Sequence, residues 1–248
     1  MSVLTLVENW EGEFKKTSFE TVSYGKEVAS KLGSKLTTLT FGSKNPNDLH
    51  NYGSDENLNI QNMNFETTSN MTIAKISADV IKNKNIRTII ISNTNTGKSI
   101  APLIAYFLDC GLLSNAIEYP EKHSPLTVFC KAFSGKAHAK YESNYHTNII
   151  TILPNSIGEI NEVSGDGALI NIDKEIDSNY NLTIINSRHK STEKISLPDA
   201  EIVVSAGRGL KKAENWGMIE ELAESLNAAT ACSKPVSDMG WRPHSEHV

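Results

Sequence analysis

Ile202-Val203-Val204-Ser205-Ala206-Gly207-Arg208-Gly209-Leu210-Lys211 is the stretch on which the reading of this chain turns. Ile202 to Ser205 is a short apolar run bounded by Gly207, which suits a buried strand. Gly207 and Gly209 permit a tight turn, and a helical segment follows. Such a turn, with exposed amides at a helix start, is a fair seat for a phosphate. Arg208 within it adds a permanent positive charge and a planar fork of donors. The dinucleotide fingerprint Gly-x-Gly-x-x-Gly is absent, because Leu210, Lys211 and Lys212 follow Gly209. The plain alternative is a pair of turn glycines flanking a solvated arginine.

The chain has 248 residues, 39% of them hydrophobic and 21% charged, enough for one large or two smaller packed domains. A net charge of −5 argues against a nucleic-acid partner and suits small-molecule or protein partners. No apolar run approaches the ~20 residues needed to insert across a membrane. Met1 leads almost directly into Val3-Leu4-Thr5-Leu6-Val7, without a signal peptide or an Arg-rich presequence. The expected location is therefore the bacterial cytoplasm or, for a mature eukaryotic chain, the mitochondrial matrix. Cys110, Cys130 and Cys232 are scattered, with no Cys-x-x-Cys, so neither a disulfide framework nor a zinc site is expected.

Taken in order, Val3 to Val7 reads as a first strand and Glu8 to Thr17 as a loop. Ser18 is placed to cap a helix running to Leu32, with Phe19, Val22, Ala29 and Leu32 on one face and Gly33 as its stop. Leu36 to Phe41 is the second strand. This β-α-β opening predicts a parallel sheet with a right-handed crossover. Asn45 to Asn64 reads mostly as loop, with Leu58 and Ile60 in a short strand. Ser69 to Lys82 is a helix, Ile86 to Ser92 a strand, and Ser99 to Leu108 a helix with Pro102 in its first turn. Leu126 to Phe133, Ala137 to Tyr141 and Asn148 to Leu153 are closely spaced strands, which favours an antiparallel or mixed portion. Ser156 to Glu175 reads as connection, Leu182 to Ile185 as a strand, and Arg188 to Leu197 as a linker. A domain boundary is expected near Ile195, giving domains 1–195 and 196–248. Beyond it, a helix from about Ala213 to Asn227 carries an apolar stripe of Met218, Ile219, Leu222 and Leu226, expected to pack in the core. Ala228 to Cys232 is a small-residue strand.

Few motifs carry chemistry. Gly97-Lys98-Ser99 after a strand is like the end of a Walker A loop, but Ser92 stands where that motif needs a glycine. Nucleotide hydrolysis there is not expected. His244 and His247 are three apart in a loop with only Glu246 near, a poor metal site. No nucleophile elbow and no acid/base dyad stands out. Without such a constellation, any chemistry would fall to a bound cofactor.

A combined string gives the resemblance: Gly207-Arg208-Gly209-Leu210-Lys211, Glu214-Asn215, the helix to Leu226, Ala228-Ala229, Ser233 before a basic residue, Pro235 to Asp238, Gly240-Trp241, Pro243 and Val248. It resembles the α subunit of electron transfer flavoprotein at the start of its FAD-binding domain. Gly97-Lys98-Ser99-Ile100-Ala101-Pro102 and Gly111-Leu112-Leu113-Ser114 resemble that family's first domain, where the loop is structural or near the subunit contact. The resemblance implies an N-terminal parallel or mixed-sheet α/β domain of the adenine nucleotide alpha hydrolase-like type. The first part of a Rossmann-like FAD-binding domain would follow it. It implies FAD as cofactor, with Arg208, Ser233, Lys234 and Val248 at cofactor-binding positions. It implies a β subunit as heterodimer partner. Electrons would come from primary dehydrogenases, such as those oxidising acyl-CoA, and pass to a quinone oxidoreductase or another acceptor. The protein would be a redox carrier, without a catalytic residue or metal of its own.

Two departures from the family pattern matter. Lys234 stands where the family usually has arginine. The sequence also stops at Val248, where the family's Val-Gly-Gln-Thr cofactor loop begins. It is therefore expected to be a truncated copy that binds FAD weakly or not at all. Two rival readings stand beside this one: a nucleotide-binding module without redox work, and a remnant that only docks to a partner.

Overall fold

The computed structural model describes residues 2–159, 165–175 and 202–248, with residues 185, 197 and 200 between them. It divides into two compact units, Met1–Arg188 and His189–Val248. The expected boundary at Ile195, the strand Leu182 to Ile185 except for its last residue, and most of the linker Arg188 to Leu197 lie outside the described residues.

Unit one opens with β1 (Val3–Leu6), a small hairpin of β2 (Asn9–Trp10) and β3 (Glu13–Phe14), and α1 (Lys16–Lys31). Then come β4 (Leu36–Phe41), β5 (Glu56–Ile60), α2 (Asn70–Asn83), β6 (Thr88–Ser92) and α3 (Asn95–Leu108). They are followed by β7 (Gly111–Ala116), β8 (Lys122–His123), β9 (Leu126–Ala132), β10 (Ala137–Ser143), β11 (Asn148–Ile152) and β12 (Ala168–Ile172). Apart from the hairpin, these strands form one mixed sheet in the order β10-β9-β7-β11-β6-β1-β4-β5-β12, with β8 on β9. The path from β7 to β12 is parallel, and β8, β9 and β10 are antiparallel additions. Strand order reverses beside β1, because the chain steps first to β4 and β5 and later returns to β6 on β1's other side.

Alternation along the strands builds both faces of this sheet. Leu4, Leu6, Leu39, Phe41, Ile89 and Ile91 bury against Ile73, Ile76 and Val80 of α2 and Ile100 and Ile104 of α3. Val3, Leu36, Ile90 and Ile150 bury against Val22, Val28 and Ala29 of α1. Each large apolar side chain fully withdrawn from water contributes about 1.5–3 kcal/mol.

Several details differ from the sequence reading. α1 starts earlier, so Ser18 is its third residue and not its cap. The Ser18 hydroxyl accepts from the Lys15 amide at 3.2 Å and donates to the Glu8 carbonyl at 2.6 Å. α3 also starts earlier, because Thr94 caps it by accepting from the Gly97 amide at 3.0 Å. Pro102 is consequently inside the helix, on its exposed side, where water can pair with the carbonyl that the ring leaves without a donor. Residues 168–172, read as connection, form edge strand β12. Its approach needs glycines: a Cβ at Gly165 would overlap the His50 carbonyl, and one at Gly167 would overlap the His50 ring.

Unit two contains β13 (Val203–Ala206), a 3-10 turn at Ala213–Trp216, α4 (Gly217–Ser225), β14 (Ala229–Cys232) and α5 (Lys234–Asp238). The predicted apolar stripe is not core. Met218, Leu222 and Leu226 are 59%, 49% and 45% exposed. Trp216, Ala223, Cys232 and Val236 are buried instead, with Ile219 and Trp241 packed beside them. The two-stranded sheet β13-β14 spans too little width to cover the whole apolar arc of α4.

Candidate cofactor-binding site

β13 and β14 run parallel and in register, from Val203 opposite Ala229 to Ala206 opposite Cys232. Both strands therefore end level, and the turns that leave them share one edge. The carboxyl edge of a parallel sheet is where α/β folds hold ligands. Gly207 and Arg208 leave β13, while Ser233 and Lys234 leave β14. The Ser233 amide donates to the Ala206 carbonyl at 3.1 Å, which ties the two turns together. A Cβ on Gly207 would stand 3.4 Å from Ser233 Oγ, an ordinary van der Waals distance, so the two turns lie side by side.

The Arg208 turn is a short 3-10 segment, Arg208–Leu210. The Lys211 amide closes it on the Arg208 carbonyl at 2.9 Å, and Asn215 Nδ2 donates to the Leu210 carbonyl at 2.7 Å. The role of Asn215 in the motif is therefore to hold the turn. The space before Gly209 is open: a Cβ placed there would meet nothing within 4 Å. Arg208 and Lys234 are exposed, and Ser233, at the cap position of α5, makes no side-chain cap bond. Val248 reaches the same edge: its amide donates to the Cys232 carbonyl at 3.1 Å, beside a parallel bridge between Cys232 and His247.

Arg208, Ser233, Lys234 and Val248 thus lie on one carboxyl edge, though they come from separate segments. The open glycine turn, two exposed cations and a hydroxyl free of a cap bond fit the anionic and polar parts of a flavin dinucleotide.

The Gly97-Lys98-Ser99 segment of unit one is built differently. It lies in the first turns of α3, and a Cβ at Gly97 would overlap the Ser92 carbonyl. The helix start already faces a carboxyl group, since Thr94 Oγ1 donates to Glu8 Oε1. Glu8 keeps some surface but is packed on most sides. Burial raises its pKa above the ordinary 4.5, opposed by the Thr94 hydrogen bond, the charge of Lys15 and the Gly97 amide. That glycine serves close packing at a helix start occupied by the protein's own acid. Stability from Glu8 is fully present below its unfolded pKa and is lost as pH rises through the higher folded value. Glu8→Gln, whose amide oxygen can still accept from Thr94, is expected to melt higher than the unmodified protein at pH 8. The difference should shrink towards pH 4. Parallel melting curves across that range would contradict it.

The sequence reading gave no role to Arg242 or Trp216 and placed Glu246 only beside the two histidines. Arg242 binds Glu246 through two bonds of 2.7 Å and Glu220 through one of 2.9 Å, with its guanidinium over the Trp216 ring. The Arg242/Glu246 spacing of four residues was the only local signal. Glu246 is therefore engaged by Arg242 rather than by His244 or His247, and no metal-binding cluster occurs among the described residues.

Residues 3–177 match the family model of the electron transfer flavoprotein domain. The chain belongs to the electron transfer flavoprotein family. Residues 196–248 match the electron transfer flavoprotein FAD-binding domain. Protein FixB of Clostridium saccharobutylicum is 29% identical over 99% of this chain and 75% of its own length. The electron transfer flavoprotein subunit alpha of Bacillus subtilis is 26% identical over 96% of this chain and 74% of its own. Subunit LctC of the Acetobacterium woodii lactate dehydrogenase (NAD(+),ferredoxin) is 25% identical over 96% of this chain and 59% of its own. Membership of the electron transfer flavoprotein family, on the α-subunit side, makes this a flavin-linked electron-carrier chain. It does not favour the nucleotide-sensing and docking-remnant readings. Among the described residues no helix is long and apolar enough to cross a membrane.

Proposed function

We propose that this protein, paired with a β subunit, holds one FAD at the β13-β14 edge, in place of the weak or absent binding expected from the sequence alone, and carries electrons as the α subunit of that heterodimer. Its donors are primary dehydrogenases, including those that oxidise acyl-CoA, and its acceptor is a quinone oxidoreductase or a comparable protein. The observation that carries this reading is the convergence of Arg208, Ser233, Lys234 and Val248 on one carboxyl edge. FAD, when bound, supplies the chemistry of accepting and releasing electrons. The protein supplies position and charge. Arg208 and Lys234 offer positive charge to an anionic ligand and favour negative charge gained on reduction. Ser233 offers a hydroxyl that can donate and accept, and Gly207 and Gly209 keep the backbone close to the ligand. Carrying electrons for other enzymes requires no nucleophile or general base of its own.

The test is co-expression with a β-type subunit from the same family. A purified 1:1 complex should be yellow, with flavin absorbance near one FAD per heterodimer. A stable colourless complex would overturn the reading. Lys234 is the position at which charge should tune the flavin. Lys234→Arg keeps the charge but spreads it over a planar fork. It is expected to shift the flavin midpoint potential by on the order of 30 mV, the two-electron equivalent of about 1.4 kcal/mol. Equal potentials for the two proteins would remove Lys234 from the site.

A further inference from the structure

We propose that Arg242 is a positioning residue for the cofactor edge: it latches residues 243–248 so that Val248 lies beside β14, next to Ser233. The proposal rests on the reading of that edge as the flavin site. Its basis is a closed set of contacts between three segments. The Arg242 side chain is 14% exposed and its Glu246 partner 17%. Arg242 Nε and Nη2 each donate to one Glu246 oxygen at 2.7 Å, a two-pronged pairing that sets orientation as well as distance. Nη1 reaches Glu220 of α4 at 2.9 Å. The guanidinium carbon stands 5.4 Å from the centre of the buried Trp216 ring, within cation-π range. Thr230 of β14 donates to Glu246 at 3.3 Å. One guanidinium therefore ties the terminal segment to both α4 and Trp216, and Glu246 ties it to β14.

The consequence falls two residues later. Between Arg242 and Val248 the chain makes a single 3-10 turn, His244–Glu246. His247 then bridges Cys232 in parallel, and the Val248 amide bonds to the Cys232 carbonyl at 3.1 Å. Among the described residues these are the only strand-like contacts that this segment makes with the sheet. A short pairing of this kind is too weak to set its own register. The half-buried, two-pronged ion pair fixes the turn and so decides which residue meets Cys232. Cutting the pair leaves Glu246 without its strongest partner and frees the segment.

The experiment uses the heterodimer and reads hydrogen exchange and flavin affinity together. Arg242→Met keeps the bulk over Trp216 and removes the charge. The C-terminal peptide 242–248 is expected to exchange at least about tenfold faster, while peptides covering β13 and α4 stay as protected as before. The dissociation constant for FAD should rise by about tenfold. A double exchange, Arg242→Glu with Glu246→Arg, should restore much of both. Unchanged exchange at 242–248 overturns the proposal. So does loss of protection spread equally over β13 and α4 in both variants, which would make Arg242 a general support of the unit. If the parent heterodimer takes up no flavin, the reading of the site fails, and the exchange arm still decides whether Arg242 sets the segment.

Discussion

Glu20→Ala is expected to destabilise unit one by about 1.5–3 kcal/mol, the range for hydrogen bonds to a charged group. Glu20 lies on α1 and is 2% exposed. Its carboxylate accepts from three backbone amides of the loop after β11: Asn155 at 2.8 Å, Ile157 at 3.0 Å and Gly158 at 3.0 Å. Such bonds are charge-assisted and roughly twice as strong as neutral ones. Alanine would leave a small void and three amides to find other partners. Glu20→Gln retains an accepting oxygen and should lose clearly less. Urea unfolding followed by far-UV circular dichroism, with the transition of unit one resolved from that of unit two, reads the effect. A loss below about 1 kcal/mol for the alanine variant would mean that water replaces the carboxylate freely.

Arg208→Ala is expected to weaken FAD binding by the heterodimer about 10- to 100-fold, or about 1.4–2.8 kcal/mol. The side chain is exposed at the turn after β13, so its loss should leave the melting temperature of unit two nearly unchanged. That separation makes the variant informative. Arg208→Lys should recover part of the affinity, through charge without the fork. The parent's affinity should also fall more steeply with salt than that of the alanine variant, because an exposed cation is screened. Equal affinities for parent and alanine variant would move the cofactor contact away from this turn.

Much of unit one was legible because its signals are local. Val3 to Val7, Leu36 to Phe41 and Ile86 to Ser92 are apolar, β-branched runs between turn residues, and each became a buried parallel strand within a residue or two. Helix starts were less legible. Thr94 caps α3 although the polar run from Ser92 to Lys98 reads as loop, because capping depends on one hydroxyl reaching one amide. β12 was hidden for another reason. Its strand character comes from pairing with β5, more than a hundred residues away, and not from alternation within Ala168–Ile172. The apolar stripe of α4 showed the limit of periodicity: the pattern marks an apolar face, but the neighbour that covers it belongs to the tertiary structure.

What the sequence by itself determined is the order of the main parallel strands and helices of unit one, without β2, β3, β7, β8 and β12, and it nominated four candidate cofactor residues, since strand runs, glycine turns and a motif string are properties of neighbouring positions. Only the tertiary structure decided that Arg208, Ser233, Lys234 and Val248 share one edge, because the level ends of β13 and β14 depend on their register. It alone decided that Glu8 fills the start of α3 and that Arg242 joins α4 to the terminal segment. Hydrogen bonds and ion pairs act over about 3 Å in space, whatever the separation along the chain.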